Sequence, residues 1–143
     1  MRLQVATMVV CAAMAATAIA QGRKPAGTKP VTYDVTIKAD TVYTGTMDMA
    51  IDRGGKVTGD MRLTSPTEIT GKLAGTAKGG LLALAFPYLM TERKCEGTVK
   101  MNITMPAKPG PASGTMEALG CGRDPNNVLP GTVELKPAAP VKK

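Results

Sequence analysis

The chain has 143 residues, a formal net charge of +7, and neither His nor Trp. Without His it can build no Ser-His-Asp or Cys-His nucleophile system and no His-ligated zinc, copper or haem site. A hydrophobic content of 43% allows a packed core, an aromatic content of 3% makes that core poor in rings, and 16 Gly with 11 Pro predict many turns rather than a helical bundle.

Residues 1–20 read as a secretory signal peptide. Arg2 is followed by an apolar run from Leu3 to Ala20, broken only by Gln4, Thr7 and Thr17 and ending in Ala18-Ile19-Ala20 before Gln21. The run is short and alanine-rich for a span, so cleavage is expected and no membrane-spanning segment should remain. Val10 ahead of Cys11, and an apolar run that continues past it, argue against lipid attachment there. The expected location is secreted or periplasmic. Residues 21–30 read as a flexible basic arm, 31–136 as one β-barrel-like domain, and 137–143 as a flexible Pro/Lys tail. Between 31 and 136 the twelve Lys/Arg nearly balance the eleven Asp/Glu, which leaves Arg23, Lys24, Lys29, Lys142 and Lys143 in the ends. The high pI is thereby attributed to two tails rather than to a basic face. Nucleic acid is not expected as a partner, because no basic groove interleaved with aromatics is present.

Within 31–136 the apolar period is 2. Val31, Tyr33, Val35 and Ile37 alternate with Thr32, Asp34, Thr36 and Lys38, and the same pattern runs through Tyr43–Ile51 and Val57–Leu63. Such alternation marks antiparallel strands with one face in a core and one in water. Eight strands are predicted, near 31–39, 42–52, 56–64, 67–77, 81–90, 95–105, 113–120 and 131–136. A short x-Gly-x-apolar motif recurs at Gly45, Gly59, Gly71, Gly97, Gly114 and Gly131, with each glycine on the apolar face. An inward glycine lets a strand bend or a neighbour approach, which is how small barrels turn corners. The fold expected is all-β: an antiparallel up-and-down meander of about eight strands, forming a small soluble barrel or a strongly curled sheet. The strand count matches lipocalin and avidin barrels, but the tryptophans of those classes are missing and no family motif is matched.

Cys95 opens the sixth strand and Cys121 closes the seventh, so one hairpin brings them to the same end, and a disulfide is expected. A redox or metal pair lacks a CxxC and a nearby base. The methionines Met47, Met49, Met61, Met90, Met101, Met105 and Met116 could offer soft thioether sulfur to Cu(I), but most fall on the inward face, where Met is an adaptable core filler. No metal or other cofactor is expected. Asp48, Asp52 and Asp60 share an outer face with Lys56 and Arg62 nearby and read as solvated cross-strand ion pairs rather than a hydrolytic pair. No nucleophile, base and oxyanion set can be assembled, so no enzymatic activity is expected.

The segment Leu81–Met90 differs from every other strand in being apolar on both faces. It carries the only Phe, Phe86, together with Tyr88, and Pro87 must lie at a bulge or open edge because it cannot donate to a ladder. The outer row Leu81, Ala83, Ala85, Pro87, Leu89 forms a shallow groove with large side chains at its ends. Cover is expected from a small apolar ligand, a lipid, a protein partner, a second copy of the chain, or the N-terminal arm, residues 25–32. The predicted role is therefore that of an exported, non-enzymatic binding module centred on Leu81, Phe86, Pro87, Tyr88 and Leu89. The alternative is a structural or envelope-associated protein held to an anionic surface by its basic tails.

Overall fold

The computed structural model describes residues 29–139, apart from Thr91, Arg123, Pro125 and Asn127. The signal peptide, most of the basic arm and the last four residues of the tail lie outside the described residues.

Eight strands follow one another: β1 (Val31–Lys38), β2 (Val42–Ile51), β3 (Lys56–Ser65), β4 (Ile69–Lys78), β5 (Leu81–Met90), β6 (Cys95–Thr104), β7 (Ala112–Gly120) and β8 (Leu129–Pro137). Each pairs antiparallel with its neighbours in sequence, and β1 also pairs with β8, which closes the barrel. The predicted meander is therefore a closed barrel rather than a curled sheet, and its last strand runs one residue into the predicted tail. The described residues contain no helix.

Period-2 sequence fixes which side chains meet in the lumen. Val35, Ile37, Met47, Met61, Leu73, Leu82, Phe86, Met101, Ile103, Val133 and Leu135 are almost wholly buried, and no polar side chain among the described residues is buried with them. Met47, Met49, Met61, Met101 and Met116 are core residues, and Met90 and Met105 pack against that core. Methionine here fills the irregular gaps that a ring-poor interior leaves. The alternate residues form a polar wall. There Lys72 pairs with Asp60 at 3.2 Å, Arg62 with Glu68 at 3.0 Å and Lys38 with Glu134 at 3.4 Å. Exposed pairs of this kind contribute little stability. The expected grouping of Asp48, Asp52 and Asp60 with Lys56 and Arg62 is only partly right. Asp48 accepts from the Thr32 hydroxyl at 2.5 Å, while Asp52 is a turn residue whose Oδ1 accepts from the amides of Gly54 at 2.8 Å and Lys56 at 2.9 Å.

The motif glycines allow the curvature. A Cβ on Gly59 would strike the Asp48 carbonyl oxygen of β2, and one on Gly114 would strike the Asn102 carbonyl oxygen of β6. Gly45, Gly71, Gly97 and Gly131 meet neighbouring-strand carbonyls in the same way. The obstacle in each case is backbone, which cannot move aside without breaking the ladder. Gly114→Ala is accordingly expected to cost about 1–3 kcal/mol or more, as overpacking does, in urea unfolding. A variant as stable as the parent would show that the wall has slack.

Pro87 is paired with Thr98 on β6, but the β4–β5 ladder has no residue partners between Thr70↔Leu89 and Ala74↔Ala85. In a closed barrel the proline cannot sit on an open edge. It sits at a gap in one ladder, where its missing N–H leaves no donor to satisfy.

Candidate functional site

The meander sends alternate connections to opposite ends of the barrel. One rim carries the β1–β2, β3–β4, β5–β6 and β7–β8 connections; the other carries the remaining three and both chain termini. The site lies inside the first rim.

Inside the first rim lies a partly open cavity of about 140 Å³. Its wall draws on the whole circumference, with Ile37, Leu63, Ile69, Val99, Met116 and Leu129 from six different strands. Strand β5 adds Phe86, Tyr88 and Met90, and Tyr43 and Ala118 complete the lining. At the mouth stand Asp40, Thr41 and Arg93, so an apolar interior opens onto a polar collar.

Ala39 and Ala118 face this space with small side chains, and behind its aromatic wall Gly71 and Gly97 contribute no side chain on the inner face. Two aromatics use the room that those glycines leave. A Cβ on Gly71 would lie 2.7 Å from the Phe86 ring, and one on Gly97 would lie 2.5 Å from the Tyr88 ring. The two rings stack with centroids 6.3 Å apart at 29°. Aromatic side chains resting on cross-strand glycines cover exposed backbone and hold the strand register. Here they also form one side of the cavity.

The expected disulfide is present, with Cys95 and Cys121 Cα atoms 4.9 Å apart. It ties the start of β6 to the turn after β7 at the cavity rim, and Cys121 itself lines the cavity. Cys121 has φ 56° between Gly120 at 99° and Gly122 at 73°, so three residues in left-handed conformations turn the chain at the bridge. The Met90 sulfur lies 4.0 Å from the Cys121 sulfur.

The five predicted site residues fall into two groups. Phe86 and Tyr88 point inward to the cavity, and Phe86 is fully buried. Leu81, Pro87 and Leu89 point outward and are exposed, Leu81 by 49% and Leu89 by 50%. The single site centred on β5 is thus an inner and an outer face of one strand. Residues 29–32 do not cover the outer row. Val31 and Thr32 belong to β1, four strands from β5 in either direction around the barrel. Sequence reasoning missed Ile37, Tyr43, Ile69, Ala118 and Leu129 as cavity residues. The inward phase of the first four was readable, whereas Leu129 fell before the predicted start of the last strand, and which inward layer would be left unfilled was not readable. Among the described residues no group of three or more His, Cys, Asp or Glu could hold a metal ion.

No family model and no curated protein matches the chain. Among solved structures, a redesigned β-barrel superimposes with a TM-score of 0.55 at 15% sequence identity, covering 77% of this chain and 91% of that one. The likeness is one of fold alone. It bears on the closed barrel and not on what the cavity holds.

Proposed function

We propose that the protein is an exported, non-enzymatic binding module that takes a small apolar ligand into the end of its barrel, with β5 supplying Phe86, Tyr88 and Met90 as inner contacts. The observation that carries this reading is the partly open cavity of about 140 Å³, in which apolar side chains share the lining with Asp40, Thr41 and Arg93. An enclosed apolar cavity of about 150 Å³ accepts a benzene-sized guest, which sets the size of guest that this partly open one can take. A small ring or a short branched chain matches that space, with any polar group directed toward Asp40 and Arg93. The disulfide suits an oxidising, extracytoplasmic compartment.

The reading is tested by titrating benzene or a short-chain alcohol while following the methyl resonances of the cavity side chains. Ala118→Leu fills the space and is expected to weaken uptake at least tenfold without loss of stability, whereas Leu89→Asp on the outer face should leave uptake unchanged. Equal uptake by the parent and Ala118→Leu would overturn the cavity as the site. The exposure of Leu81 and Leu89 supports a second reading, association with a protein partner or a second copy over the outer row. If the parent sediments as a dimer and Leu81→Asp or Leu89→Asp as a monomer, that row is the interface. A monomeric parent rules out the second copy.

A further inference from the structure

We propose that the rim opposite the cavity is a docking face for an anionic lipid surface. An even number of meandering strands puts both chain termini at that rim, together with the β2–β3, β4–β5 and β6–β7 connections. Those elements carry Lys29, Arg53, Lys56, Lys78 and Lys108, all exposed, against the single carboxylate of Asp52, while Lys136 near the end of β8 stands opposite Asp34 on β1. The Asp52 carboxylate is occupied by the amides of its own turn. Among the described residues no ion pair engages these five cations. The segments bearing Arg23, Lys24, Lys142 and Lys143 join the barrel at the same rim. At the cavity rim the described strand ends and connections hold Lys38, Arg93 and Lys94 against Asp40, Glu68, Glu92, Glu96 and Asp124, an excess of acid. The positive charge is therefore gathered at one end of the molecule, although the charge between 31 and 136 is nearly balanced.

Two observations favour lipid over a polyanionic chain. The cations ring the end of a barrel rather than line a groove, and a ring presents to a plane. Val31 and Leu81, exposed by 45% and 49%, stand on opposite sides of the same rim. Cations interleaved with exposed aliphatic side chains suit the headgroup boundary of a bilayer. A single-stranded nucleic acid would call for exposed rings to stack on, and the one aromatic of this rim, Tyr33, is buried in the lumen. The face is independent of what the cavity holds, and docking by it would leave the cavity mouth turned away from the lipid.

The test is co-sedimentation of the chain from Gln21 onward, which holds the whole closed barrel, with vesicles of phosphatidylcholine alone or mixed equally with phosphatidylglycerol. Binding is expected to the mixed vesicles only and to fall as salt is raised. Each lysine or arginine near an anionic surface is worth a factor of about five, so Arg53→Gln, Lys78→Gln and Lys108→Gln together should weaken binding about a hundredfold. Lys38→Gln, Lys94→Gln and Lys100→Gln together remove the same charge elsewhere and should weaken it far less. Thermal melting of both triple variants at the parent's temperature shows that the barrel is intact. Equal weakening by the two triples, equal binding to neutral vesicles, or binding to heparin or DNA but not to mixed vesicles would each overturn the proposal.

Discussion

Phe86→Ala is expected to destabilise the barrel by about 3–5 kcal/mol and to enlarge its cavity. Phe86 is fully buried, rests on Gly71, stacks on Tyr88 and forms part of the cavity wall. It is also the only phenylalanine in a chain with three tyrosines and no tryptophan, so no comparable ring can take its place. Truncation removes the ring, and the glycine beneath it has no side chain with which to fill the void. Domains of this size have about 5–15 kcal/mol in total, so the loss is a large share of the stability. Urea unfolding measures it, and Phe86→Leu, which keeps most of the volume, should lose much less. The widened space should also admit a two-ring guest such as naphthalene that the parent excludes. A loss below about 1 kcal/mol would mean that the wall collapses onto the vacancy, and the two-ring guest would then be refused.

Removal of the disulfide, by Cys95→Ser with Cys121→Ser, is expected to cost a similar amount by a different route. The bridge spans 26 residues, for which the chain-entropy model gives about 3.5 kcal/mol. For a barrel of this length that corresponds to a fall of roughly 10–25 °C in Tm. The loss comes mostly from a freer unfolded chain, but the folded state should respond as well, at one place. The bridge sits on the cavity rim beside three consecutive left-handed residues. Amide exchange should therefore quicken around Cys95 and Gly120–Gly122 while the amides at the middle of β3 stay protected. Uniform acceleration through all strands would show that the bridge supports the whole barrel rather than its rim.

Much of this fold was legible because β-structure writes itself locally. Alternation along Val31–Lys38 and Lys56–Leu63 gives strand and inner face together, and the repeated glycine marks the layer where the wall must bend. All eight strands lie within two residues of their predicted bounds. The disulfide followed from one hairpin, since its two ends had to share a rim. Three features were not written locally. Closure depends on Tyr33–Lys38 pairing with Thr132–Pro137, about a hundred residues away, and nothing in either segment announces the other. The cavity depends on summed volumes around one layer, where Ala39 and Ala118 happen to coincide, so no single residue signals it. The basic rim was hidden by averaging. A window over 31–136 adds charges that a meander, turn by turn, deals to opposite ends. The alternation within Leu81–Met90 already put Leu81, Ala83, Ala85, Pro87 and Leu89 on one face and Phe86 and Tyr88 on the other, but not what lies against either face.

The closing pair has one more consequence. The Ala138 amide donates to the Thr32 carbonyl at 3.0 Å, and Tyr33 stands opposite Pro137, so the barrel's beginning and end lie side by side. Geometrically the eight strands form a ring with no privileged first member, and the place where synthesis starts is one of eight equivalent seams. Stitching Lys29 to Ala139 and cutting at Gly79–Gly80 would return the loose ends to the same rim, while cutting between Gly122 and Asn126 would move them to the cavity mouth. The covalent order of the chain thus decides, without altering a single ladder, which end of the barrel trails its charged ends.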